Sequence, residues 1–63
     1  MKVSDAIKTL AEVQKVFGDI AITGGYMSDE QPLDRIIVVD QDGVEAWPNG
    51  DGDAQRINGV FLT

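Results

Sequence analysis

The chain contains no cysteine and no histidine. The first absence excludes a disulfide. Together they exclude zinc sites built on Cys and His, iron–sulfur clusters and imidazole catalysis. Aromatic residues are scarce at 6%: one Trp, one Tyr and two Phe. Positive charge is scarcer still, with five Lys and Arg against 11 Asp and Glu and a net charge of −6. Binding to duplex DNA needs a basic stripe that displaces phosphate counterions, and this chain has none. No stretch approaches the roughly 20 apolar residues of a membrane span. The opening Met1-Lys2-Val3 leads straight into a helical pattern without a signal-peptide core, so the expected compartment is the cytosol.

What remains is 63 residues, enough for one domain around one small core. Chains this short often gain stability from a disulfide, a metal or self-association. With the first excluded and no metal motif of Cys and His, a homo-oligomer is expected. The charge is uneven: residues 1–31 carry three Lys and five acids, and residues 32–63 carry two Arg and six acids. This balance has two readings, a solubilising surface or an acidic face that meets a basic partner.

Ser4 is a good N-cap, and Asp5 follows in the first turn. Ala6, Leu10, Val13 and Phe17 recur at helical spacing with Ile7 beside them, and Gly18 provides a terminating residue. These signals predict a helix over 5–17. Asp19 to Thr23 alternates apolar and smaller residues and predicts a strand over 19–23, ended by Gly24-Gly25. A polar loop follows through Pro32. The strongest strand is predicted over 33–40, with Ile36-Ile37-Val38-Val39 unbroken. Asp42-Gly43 is a hairpin signal that predicts a two-residue turn, pairing Val39 with Ala46 and Val38 with Trp47. The returning strand is predicted over 44–48, stopped by Pro48. Asn49 to Asp53 reads as a flexible acidic loop, and the last strand is predicted over 57–62.

The expected fold is therefore α+β: one N-terminal helix packed on a small, mainly antiparallel sheet of three or four strands. Both faces of the strand at 33–40 are apolar, and one helix covers one face. Placing Ile37 and Val39 against the helix turns Ile36, Val38 and Trp47 outward. Those three then become the expected subunit interface.

Catalysis finds little material. Ser28 has no evident base, and Asp51 and Asp53 lie in a loop rather than in a pocket. No catalytic residue, metal site or cofactor is expected. Asn49-x-Asp51-x-Asp53 matches the opening spacing of a calcium loop. It departs from that pattern at the sixth position, Ala54, and at the twelfth, Val60. Binding has better candidates. Gly24 and Gly25 could bring backbone amides to a phosphate, and Tyr26 beside them could stack on a base. Trp47 could pack in the core, anchor an interface or stack on a ligand. Arg35 could pair with a nearby acid or hold a phosphate.

One pattern runs through most of the chain. Lys2-Val3-Ser4 opens a helix, Gly18-Asp19-Ile20 enters a strand, Gly24-Gly25-Tyr26 follows, Pro32-Leu33 begins the next strand, and Asp42-Gly43 turns a hairpin that ends in Trp47-Pro48. This arrangement resembles small accessory proteins of phages and prophages. The group includes oligomeric sponges that sequester cyclic nucleotide immune signals and proteins that block a host defence protein directly. The resemblance implies a non-enzymatic, self-associating protein in the host cytosol that sequesters a cyclic or phosphorylated nucleotide. Gly24, Gly25, Tyr26, Arg35 and Trp47 are its expected ligand contacts, with a two-fold symmetric nucleotide clamped between the 24–32 loops of two subunits. The alternative is an acidic inhibitor of a host defence or nucleic-acid-binding protein.

Overall fold

A computed structural model describes all residues, 1–63. Helix α1 spans Val3–Phe17 and is followed by strands β1 (Ile22–Gly25), β2 (Ile36–Asp40), β3 (Glu45–Trp47) and β4 (Ile57–Leu62). The α+β fold with an N-terminal helix on a sheet is as expected. The strands form one sheet in the order β1-β4-β2-β3. β4 runs antiparallel to β2 and parallel to β1, so the sheet is mixed. The last strand thus enters the middle of the sheet and pushes β1 to an edge.

The helix begins two residues earlier than Ser4 capping implies. Lys2 is the N-cap, its carbonyl accepts a hydrogen bond from the Ala6 N–H at 3.0 Å, and its own N–H donates to Asp5 Oδ2 at 3.2 Å. Asp5 therefore serves the helix start from inside the first turn, and Ser4 lies within the helix. At the other end Gly18 takes φ +88° and donates its N–H to the Gln14 carbonyl at 2.9 Å, a backbone shape glycine adopts without penalty.

The apolar stripe of α1 packs where its spacing requires. Val13 joins Ile36, Val38 and Val60 in the buried cluster, with Ala6, Leu10, Phe17, Leu33, Trp47 and Leu62 around it. This reverses the expected faces of β2. The register pairs Ile36 with Leu62, and Val38 with Val60 on one side and Trp47 on the other. All of these turn toward the helix, and Ile37 and Val39 point away. Val38 is fully buried within one chain, and Ile36 is 4% exposed. Neither can form the subunit interface expected of them, and Trp47 packs on the same core. The face was ambiguous because all four residues of Ile36-Ile37-Val38-Val39 are apolar; the paired residues of β4 decide it.

Strand β1 is shifted along the chain from 19–23 to Ile22–Gly25, so Gly24 and Gly25 lie in the strand rather than ending it. The hairpin also differs from a two-residue turn. Residues 41–43 form its loop, Gly43 donates to the Asp40 carbonyl at 3.0 Å, and Gly43 has φ +79°. A three-residue loop with a left-handed glycine adds one residue and a bulge. The longer loop moves Val39 opposite Glu45 instead of Ala46, and a register shift between Val38 and Val39 keeps Val38 opposite Trp47. A cis peptide bond joins Trp47 and Pro48.

Candidate functional site

Residues 49–53 do not form a free loop. The Gly52 N–H donates to the Glu45 carbonyl at 2.9 Å, so this segment pairs with the outer edge of β3. Its glycines are needed for that approach. A Cβ on Gly50 would lie 2.0 Å from the Glu45 carbonyl oxygen, and one on Gly52 would lie 2.7 Å from that of Val44. The spacing that matched a calcium loop is thus a backbone cover, and no three carboxylates converge on one point.

Asp40 holds this cover in place. It is 4% exposed, the single charged residue in the interior. Its Oδ1 accepts from the N–H groups of Asp42 at 2.9 Å and Val44 at 3.0 Å, and its Oδ2 accepts from the Asp53 N–H at 2.8 Å. The Asp53 and Val44 amides, more than the nearby Arg56, hold its carboxyl below the ordinary value of 3.8. Sequence reasoning passed over Asp40. Its signal was an acid standing between an apolar strand and an Asp-Gly turn, where a side chain can bond to backbone amides.

The sheet face away from the helix carries the binding candidates. Thr23, Ile37, Val39, Gly43, Asn58 and Phe61 line a cleft of about 260 Å³ there. Tyr26 is 73% exposed and meets the Phe61 ring edge-on, with centroids 5.4 Å apart and planes at 71°. Its backbone is anchored, because the Tyr26 N–H donates to the Leu62 carbonyl at 2.7 Å. Gly24 makes the pairing possible. A Cβ there would sit 3.0 Å from two atoms of the Phe61 ring. Gly25 likewise lies against the Leu62 backbone, with 2.6 Å between a Cβ and the carbonyl oxygen. The structure therefore brings Gly24, Gly25 and Tyr26 together and adds Phe61, which sequence reasoning did not single out. The signal for Phe61 was its alternation in β4: it pairs with Ile37, opposite in face to Val60 and Leu62.

Arg35 and Trp47 do not join this group. Trp47 packs on the helix side of the sheet. Arg35 pairs its backbone with Thr63 at the end of β4, while Tyr26 bonds to the other side of the same strand end. Two strand spacings put their backbones about 10 Å apart. The guanidinium turns the other way: Arg35 Nη2 donates to Glu45 Oε2 at 2.9 Å and to Oε1 at 3.1 Å. Glu45 Oε2 also accepts from the Asn49 N–H at 3.2 Å. Arg35 thus pairs with an acid, Glu45, and helps pin the cover over β3. Arg56 lies 4.0 Å from Asp42, with both side chains mostly exposed.

The chain matches no family model, no curated protein and no solved structure. No helix is long and apolar enough to cross a membrane.

Proposed function

We propose that this protein is a non-catalytic binder of a small ligand with a flat ring, of the nucleotide class, on the sheet face that the helix leaves uncovered. The observation that carries this reading is the Tyr26–Phe61 pair. An exposed phenol is held edge-on by a second ring, and Thr23 and Asn58 in the adjoining cleft supply hydroxyl and amide groups for the edge of a base. A small open cleft on each copy agrees with the sponge-type behaviour that the phage resemblance implies.

The direct experiment is a thermal-shift screen against cyclic dinucleotides and other nucleotide signals, followed by calorimetry. A ligand at 100 times its dissociation constant adds about 2.7 kcal/mol, a shift easily read in a domain this small. Tyr26→Ala is expected to cost about 1–3 kcal/mol of binding per stacked base and to leave the fold intact. Binding that is unchanged in that variant removes Tyr26 from the site.

A second reading rests on a different observation. The pairing of Arg35 with Glu45 leaves no free cation beside Tyr26, and Asp29, Glu30 and Asp34 stand in the connection that follows it. That environment suits a basic protein surface better than a phosphate, as in an acidic inhibitor of a defence or nucleic-acid-binding protein. Ionic strength separates the two readings. Association of acidic and basic surfaces weakens steeply with salt, and stacking of a ring does not.

A further inference from the structure

The two edges of the sheet are treated differently. β3 is covered by residues 49–53, begins with Glu45 and is followed by Pro48. β1 has β4 on one side and no strand on the other. Exposed edges in natural proteins are usually blunted by a charge, a proline or a covering segment. Residues 20–28, which contain β1, hold no charge and no proline, and they form the longest uncharged stretch in the chain. β1 itself is short, Ile-Thr-Gly-Gly with a register irregularity between Ile22 and Gly24, but it stands at an edge with neither charge nor proline.

Its flank is apolar as well. Ile7, Leu10, Ala11, Ile20 and Ile22 line an open groove of about 440 Å³ between α1 and β1, with Gln14 and the acidic Asp19 at the same groove. Ile7 is 64% exposed and Ile22 is 56% exposed. The interior elsewhere is small, with five buried hydrophobic side chains.

We propose that β1 pairs with β1 of a second copy of this chain, antiparallel about a two-fold axis, to make one continuous eight-stranded sheet. An unpaired strand edge selects an extended strand as its occupant. The charge pattern selects the copy. Two chains of net charge −6 repel over most of their surfaces, and the uncharged stretch is where they meet without opposing acids. A basic partner would find no carboxylate on this strand to pair with. The symmetry completes the argument. A two-fold axis normal to the sheet puts both helices on the same face, so the two Ile7–Ile22 grooves face each other and close together. A stable dimer buries about 800 Å² per partner, less than a fifth of the 4491 Å² that the chain exposes. This contact differs from the Tyr26–Phe61 face, so nucleotide binding and dimerisation are tested separately.

Sedimentation equilibrium on the full chain, from low to high micromolar concentration, is the test. The wild type is expected to fit a closed monomer–dimer equilibrium. Ile22→Lys adds the charge that the edge lacks and is expected to weaken the dimer about tenfold or more. Ile7→Lys, on the exposed side of the helix, is expected to do the same without touching the sheet, with circular dichroism confirming the fold. Val44→Lys, at the covered edge and 45% exposed in the wild type, is expected to leave the constant unchanged. A wild type that stays monomeric at high micromolar concentration overturns the proposal. So does a dimer that both lysine variants at Ile7 and Ile22 leave intact, one that Val44→Lys disrupts, or an open-ended series of larger species.

Discussion

The edges at β3 and β1 show how a small chain divides its means. At β3, one buried carboxylate, one ion pair and two glycines bring a loop down over the strand. At β1, no charge, no proline and no ion pair guards a short strand, and the residues from 20 to 28 are all uncharged. The lesson is that charge and a folded-back loop mark the edge that is closed, and an uncharged stretch marks the edge that is open.

The comparison can be broken first at its centre. Val38 stands on β2, between β3 and β4, and is fully buried. Val38→Asp is expected to cost about 4 kcal/mol or more, because an unpaired charge enters the core. A domain of this size holds only about 3–9 kcal/mol in all, so circular dichroism should show loss of the fold itself, not dissociation of folded subunits. Gly50→Ala strikes the covered edge next. Its new methyl collides with the Glu45 carbonyl, and the loop must lift. A loss of about 2–3 kcal/mol in urea denaturation is expected, with a second sticky edge and concentration-dependent aggregation.

Asp40→Asn tests the carboxylate that anchors the same loop. Asp40 has a lowered pKa in the folded chain, so its contribution is present above the unfolded value of 3.8 and is lost as pH falls through the folded value. The wild type should therefore lose thermal stability as pH falls below 4. In the variant, the melting temperature should be lower near neutrality and the acid limb flatter, and the Asp53 amide should exchange faster with solvent. The smallest effect is expected at Arg35→Ala. The pair with Glu45 is half open to water, so its loss should cost about 0.2–1 kcal/mol in denaturation. Glu45→Gln sharpens the same point from the ligand side: it frees Arg35, and any phosphate-bearing ligand of the Tyr26–Phe61 face should bind more tightly by calorimetry.

Much of the fold was legible from residues 1–18 and 57–62. The Ala6–Leu10–Val13–Phe17 spacing and Gly18 define the helix, and Val60 and Leu62 mark the core side of β4. The candidate site was only half legible. Gly24, Gly25 and Tyr26 adjoin in sequence; β1 carries the two glycines, and the bond from the Tyr26 N–H to the Leu62 carbonyl keeps Tyr26 in line with them. Phe61 reaches them only because β4 lies beside β1, a neighbour relation that no local signal encodes. Arg35 was expected at the ligand and instead bonds to Glu45, which the three-residue loop at 41–43 places opposite Val39 on the neighbouring strand.

The amino-acid order by itself determines the helix, the α+β class, the acidic balance and the exclusion of disulfide and imidazole chemistry. Those properties depend on spacing along the chain or on composition, and both are local. Tertiary structure alone decides which face of Ile36 to Val39 meets the helix, because an apolar run has no preferred side until a partner strand supplies the facing residues. It alone makes β1 an edge, since the last strand to be written in the sequence is the one that enters between β1 and β2. And it alone turns Asn49 to Asp53 from a solvated acidic loop into the cover of β3, because the amide of Asp53 finds its acceptor in Asp40, thirteen residues away.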